Sequence, residues 1–155
     1  MYESLVTPVI LYNAGCAALT DQDKARLDAC HRRHLRKVMG IKWPAKISNE
    51  KLYKVTGVRS LSVRVEEMRW RMLGHVLRLD RGAPAQRAMD FAFGKMVKNM
   101  DARRGRHSTN LLSTITNDLK RRGLKLSCKR DLDILREVAA DRIAWKKLTI
   151  ATPEN

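Results

Sequence analysis

Apolar positions along this chain recur at intervals of three and four, punctuated by single Gly or Pro residues. No clear alternating run of five or more residues stands out, so the pattern predicts helices rather than strands. Residues 3–13 are mostly apolar with Pro8 inside them, and their period fits a Pro-started buried helix or a strand equally. The next segment is clearer. Thr20 is followed three residues later by Asp23, an acidic variant of the capping box, and Asp21 and Asp23 suit the positive end of a helix dipole. Leu27, Cys30, His34, Leu35, Val38 and Met39 then form one apolar stripe. Gly40 supplies the stop, with Arg36 and Lys37 complementing the helix C-terminus.

Residues 41–46 form a linker containing Trp43-Pro44, where the proline disfavours a helical Trp43. Ser48 caps a short helix ending at Gly57, and Ser60 or Ser62 opens a longer one reaching Leu79. Its apolar face is Leu61, Val65, Met68, Met72, Val76 and Leu79, widened by Leu73 and Leu77. Gly74 inside it costs about 1 kcal/mol relative to Ala, which predicts close packing over that position. Pro84 starts a helix carrying Phe91 and Phe93, and residues 94–107 read as a basic connector. Ser108 is the expected cap of a helix carrying Leu111, Leu112, Ile115 and Leu119, stopped by Gly123. One last helix after Ser127 carries Leu132, Leu135, Val138, Ala139, Ile143, Trp145 and Leu148. The expectation is an all-α protein of six or seven helices. Its organisation is a helical domain over 1–94, followed by a basic connector and C-terminal helices over 95–155. The pattern leaves open whether the second part packs on the first or stands apart.

Charge sharpens this picture. The 155 residues hold 32 Lys plus Arg against 16 Asp plus Glu, a net charge of +16. Such an excess costs self-repulsion that a polyanion relieves, and nucleic acid is the usual polyanion. The charge is uneven: residues 1–23 contain no Lys or Arg, whereas 95–130 contain eleven. No apolar run approaches the ~20 residues of a membrane span, and residues 5–11 make a poor signal peptide. Cys16, Cys30 and Cys128 are distant and unpatterned, against a disulfide framework and in keeping with a reducing compartment. The expected location is the nucleus or cytoplasm rather than the exterior, with no membrane partner.

Candidate chemistry is sparse. Cys30 and His34 share a helix face at i, i+4, but a structural zinc site needs four ligands and no second pair has matching spacing. Glu66 and Glu67 point to different faces of their helix. There is no GxxxxGK[ST] loop, GxSxG elbow or HExxH sequence. The reading is no catalytic residue, no metal site and no cofactor. Trp43, Trp70 and Trp145 are expected as three core anchors rather than base-stacking platforms. Two basic groups are the candidate nucleic-acid contacts: Arg32, Arg33, Arg36 and Lys37 on one helix, and Arg103, Arg104, Arg106, Lys120, Arg121 and Arg122 further on. About six neutralised phosphates would give a slope of log affinity against log salt near −5 on duplex DNA.

Several segments in order carry a resemblance. Leu5, Pro8, Leu11, Tyr12 and Leu19-Thr20 are followed by Leu27, Leu35-Arg36-Lys37-Val38-Met39-Gly40-Ile41 and Trp43. Then come Asn49-Glu50-Lys51-Leu52, Thr56-Gly57, Leu73-Gly74-His75-Val76-Leu77-Arg78-Leu79, Arg104-Gly105-Arg106 and Asp118-Leu119. Ala139, Asp141-Arg142, Trp145-Lys146 and Leu148 close the series. Over about residues 1–150 this resembles the C-terminal region of the endonuclease–reverse transcriptase polyproteins of non-LTR (LINE-type) retrotransposons. The chain departs from that pattern at residues 13–17, at Met72 and at residues 107–111.

The resemblance implies a thumb-like helical bundle with a basic C-terminal segment, which holds the RNA and/or DNA backbone. It also implies partnership with the upstream polymerase domains of the parent protein. The polymerase carboxylates of that family lie upstream, in a Tyr/Phe-x-Asp-Asp motif that this chain does not contain. The function expected is therefore a non-catalytic part of an RNA-directed DNA polymerase. Two alternatives stay open: a domesticated helical protein-interaction module, and a truncated gene-model product without independent function.

Overall fold

A computed structural model describes residues 2–99 and 110–150, with side chains described except at 95–99 and 150. The chain is all-α, with no strand among the described residues. A π-helical turn, Tyr2–Val6, runs into α1 (Thr7–Ile10), so the first segment is helical, with Pro8 in the first turn of α1. Then follow a 3-10 turn (Ala14–Cys16), α2 (Asp21–Val38), α3 (Asn49–Thr56), α4 (Leu61–Arg78), α5 (Pro84–Asn99), α6 (Leu111–Arg121), α7 (Lys129–Ala140) and α8 (Arg142–Ile150).

Eight α-helices among the described residues exceed the expected six or seven for two local reasons. The first segment adds one. The last helix divides at Asp141, whose Oδ1 accepts from the backbone N–H groups of Ile143 and Ala144 at 2.8 and 3.1 Å. That side chain offers the backbone an alternative to continuing α7 and caps α8 instead.

Other ends follow their sequence signals. Thr20 Oγ1 accepts from Asp23 N–H at 3.1 Å while Asp23 accepts from Thr20 N–H at 3.1 Å, a reciprocal capping box. The Thr20 hydroxyl, which donates to the same carboxylate at 2.6 Å, and then the Thr20 N–H hold the Asp23 carboxyl below its ordinary range. At the far end of α2, Gly40 takes φ +68°, and the N–H groups of Ile41 and Gly40 donate to the carbonyls of Arg36 and Lys37. This is a Schellman stop, which turns the chain back on itself. Ser48 caps α3 through Lys51 N–H at 3.2 Å. The cap of α6 is Asn110, accepting from Ser113 N–H at 2.8 Å, whereas the expected cap, Ser108, lies outside the described residues. The helix opened by Pro84 runs through Gly94 to Asn99, because one glycine costs a helix only about 1 kcal/mol and does not stop it.

The chain forms two compact units, Met1–Met68 and Arg69–Asn155, so its contacts part inside α4 rather than after residue 94. In the first unit Leu11, Leu61 and Val65 are buried, with Leu27 and Met68 packed on them. Asp28 on α2 accepts from the N–H and hydroxyl of Ser62 at 3.0 and 2.6 Å and so caps the start of α4. The buried face of α2 is His31 and Leu35, while Cys30, Val38 and Met39 are exposed. The expected stripe is thus rotated by about one position. In the second unit Trp70, Leu73, Leu77 and Phe93 share a core with residues of α6, α7 and α8, among them Leu119, Leu135 and Trp145. That sharing places α5 with the C-terminal helices.

Candidate nucleic-acid interface

Residues four apart on a helix lie one above the other. Arg32 over Arg36 and Arg33 over Lys37 therefore make two adjacent rows on α2. The Schellman stop at Gly40 returns the following strand of chain alongside them. The result is an open cleft of about 560 Å³ lined by Ala29, Arg32, Arg33, Arg36, Lys37, Ile41, Lys42 and Asn49. Five of these eight carry positive charge and none carries negative charge. All four basic residues expected on α2 are thus brought together, and Lys42 joins them. The signal for Lys42 was the glycine stop itself, which dictates a reversal and hence which residues come back.

The five cations are not equivalent. Arg36 Nη2 donates to Ile47 O at 3.2 Å and Asn49 Oδ1 at 2.8 Å, tying α2 to the start of α3. It serves as a tether within the cleft. Arg32 is half-buried beside Tyr53. Burial pushes the Tyr53 hydroxyl pKa up, and the charges of Arg32 and Arg36 pull the other way. Arg33, Lys37 and Lys42 are exposed. Among the described residues no carboxylate lies within ion-pairing distance of these three. An exposed cation without a partner is the kind that releases counterions when it meets a phosphate.

The second expected group divides. Arg103, Arg104 and Arg106 lie outside the described residues. Lys120 is exposed near the end of α6. Arg121 is paired with Asp118. Arg122 sits with its guanidinium carbon 4.3 Å from the Trp70 ring centroid, which makes it a packing element of the second unit as well as a charge.

Two side chains depart from their expected settings. Trp70 and Trp145 are core anchors, 2% and 3% exposed, but Trp43 is 86% exposed. The proline that keeps Trp43 out of a helix also leaves it in a short turn, Ala45 N–H donating to Lys42 O at 2.9 Å, with no helical face through which to bury. His31, not among the residues of the expected stripe, is fully buried. It stacks on Tyr2 with centroids 5.8 Å apart and tilts toward Tyr53 at 6.1 Å.

Among the described residues, no group of three His, Cys, Asp or Glu is placed to hold a metal ion. No described helix is long and apolar enough to cross a membrane. Comparison with protein-family models, with curated proteins and with solved structures gave no match. The retroelement resemblance accordingly rests on the motifs of the chain itself.

Proposed function

We propose that this protein is a non-catalytic, backbone-gripping part of a non-LTR retrotransposon reverse transcriptase, corresponding to its thumb and the basic helical segment after it. The observation that carries the gripping role is the cleft on α2, with five cations and no carboxylate in its lining. A polyanion neutralises that surface without needing any base-specific contact, because phosphates are read through charge and position. The parentage is supported by the ordered motifs, two of which meet in the second unit: Gly74 of the Leu73-Gly74-His75-Val76 segment lies under Trp145 of the Trp145-Lys146 segment. In this role RNA or DNA backbone is the partner and the upstream polymerase domains of the parent supply the chemistry.

The test is a salt titration of binding to a short duplex. If about four cleft cations each neutralise one phosphate, log affinity falls with log salt at a slope near −3.6. Contacts from Lys120 and from residues 103–106 would steepen it. A slope near zero would remove the proposed function.

A further inference from the structure

A protein that leaves a tryptophan in water forfeits the burial of its largest apolar side chain. Trp43 is 86% exposed while the other two tryptophans are in the core. Its place is specific. Lys42, the preceding residue, lines the basic cleft, and consecutive Cα atoms are only about 3.8 Å apart. The turn closed by Ala45 N–H and Lys42 O puts Trp43 and Pro44 at its corner. An exposed indole thus follows directly in the chain on Lys42, one of the five cations of the cleft built from Arg32, Arg33, Arg36, Lys37 and Lys42.

A cationic track with an aromatic face at its edge is how single-stranded nucleic acids are held: the backbone follows the charge and an unpaired base stacks on the ring. A duplex has no base free to stack, and so gains only the charge. We infer that Trp43 is a stacking platform for an unpaired base of a single strand, RNA or DNA, whose phosphates lie in the α2 cleft. The inference rests on the proposed backbone-binding role of that cleft and adds to it a preference for unpaired strands. Val38 and Met39 are also exposed at the end of α2, so an anionic lipid surface is the competing partner. The cleft favours nucleic acid. Three of its five cations are guanidinium groups, and the exposed Arg33 has a fork that matches phosphate oxygens two at a time.

The experiment uses the full chain, with fluorescence anisotropy of a dye-labelled oligonucleotide as the affinity readout for every variant and, in the parent, quenching of Trp43, which alone of the three indoles is accessible. Oligouridylate of about 12 nucleotides, within the range that one binding face covers, is expected to quench the exposed indole on binding. Trp43→Ala should weaken that binding about tenfold, leave a duplex of equal charge within about twofold, and leave the circular dichroism unchanged, while Trp43→Phe retains most of the affinity. If W43A binds oligouridylate as tightly as the parent, stacking is wrong, and salt-dependent duplex binding still supports the charged cleft. If neither strand nor duplex binds in a salt-dependent way, the cleft's proposed role falls as well. A blue shift of Trp43 emission on phosphatidylserine vesicles without quenching by oligouridylate assigns the surface to lipid and overturns the inference.

Discussion

The indole of Trp145 lies against the backbone of Gly74, with its Nε1–H donating to Trp70 O at 3.0 Å. A Cβ added at Gly74 would meet Nε1 and stand 2.6 Å from Cδ1 and 2.8 Å from Cε2. The mid-helix glycine is thus a docking flat for a side chain 71 positions away. Gly74→Ala gains up to about 1 kcal/mol of helix propensity but forces the indole out at about 1–3 kcal/mol. We expect a net loss of about 1 kcal/mol in urea denaturation. In a Trp145→Leu background the obstruction is gone, and G74A should then be neutral or stabilising. Destabilisation of the same size in both backgrounds would show that the contact is not the cause.

That contact was half legible. A glycine at a costly mid-helix position announced close packing, but the partner depends on tertiary geometry that spacing does not encode. The stripe on α2 shows the opposite failure. Leu27 and Leu35 sit on a face that Cys30 and Val38 extend by hydropathy and that His31 extends by position. The stripe included His34, but the histidine that packs is His31, an aromatic ring between Tyr2 and Tyr53. Caps and stops were read well because they are local: Thr20 with Asp23, Gly40, Ser48 and Gly57 all act within one turn. The cleft was read in part. Its helix cations share a face by period, whereas Lys42 enters only through the chain reversal.

Arg69 and Asp118 form an ion pair at 2.6 Å with both side chains almost fully buried, and Arg121 shares the same carboxylate. Deleting one partner of such a pair strands the other charge in a low dielectric. Asp118→Ala is therefore expected to cost about 3–5 kcal/mol, read by chemical denaturation. Because the pair is screened from solvent ions, the loss should change little between low and high salt. Arg69→Met combined with Asp118→Leu should recover much of it, since the stranded charge is removed with its partner. A double variant as unstable as the single one would contradict this.

His31 links stability to pH. Burial lowers its pKa below the ordinary 6.5, opposed by Glu3 and Asp28 and reinforced by Arg64 and His34. Its Nε2 is 4.0 Å from Glu3 Oε1. The native state favours the neutral ring, so between the depressed pKa and 6.5 the unfolded chain binds more protons and stability rises with pH. The contribution is complete above the unfolded pKa and is lost as pH falls through the folded one. Denaturation midpoints should therefore drop as pH falls through and below the ordinary His value of 6.5. His31→Phe keeps an aromatic ring between the two tyrosines and should flatten that slope. An unchanged slope in H31F would place the proton uptake elsewhere.

The basic residues separate by what they already touch. Arg33, Lys37 and Lys42 are exposed cleft cations, so replacing all three with Ala should weaken duplex binding and reduce the salt slope by about 2.7, at about 0.9 per lost phosphate contact. Their exposure predicts little change in stability. Arg122 stacks on Trp70, and Arg122→Ala should instead cost about 1 kcal/mol of stability with the salt slope held. Arg36→Ala removes a cleft charge and the tether to Ile47 O and Asn49 Oδ1 together, so it should lower both. Parallel denaturation and salt titration of the variants distinguish these three classes. If R122A flattened the salt slope as much as the triple variant does, the assignment of Arg122 to packing would be wrong.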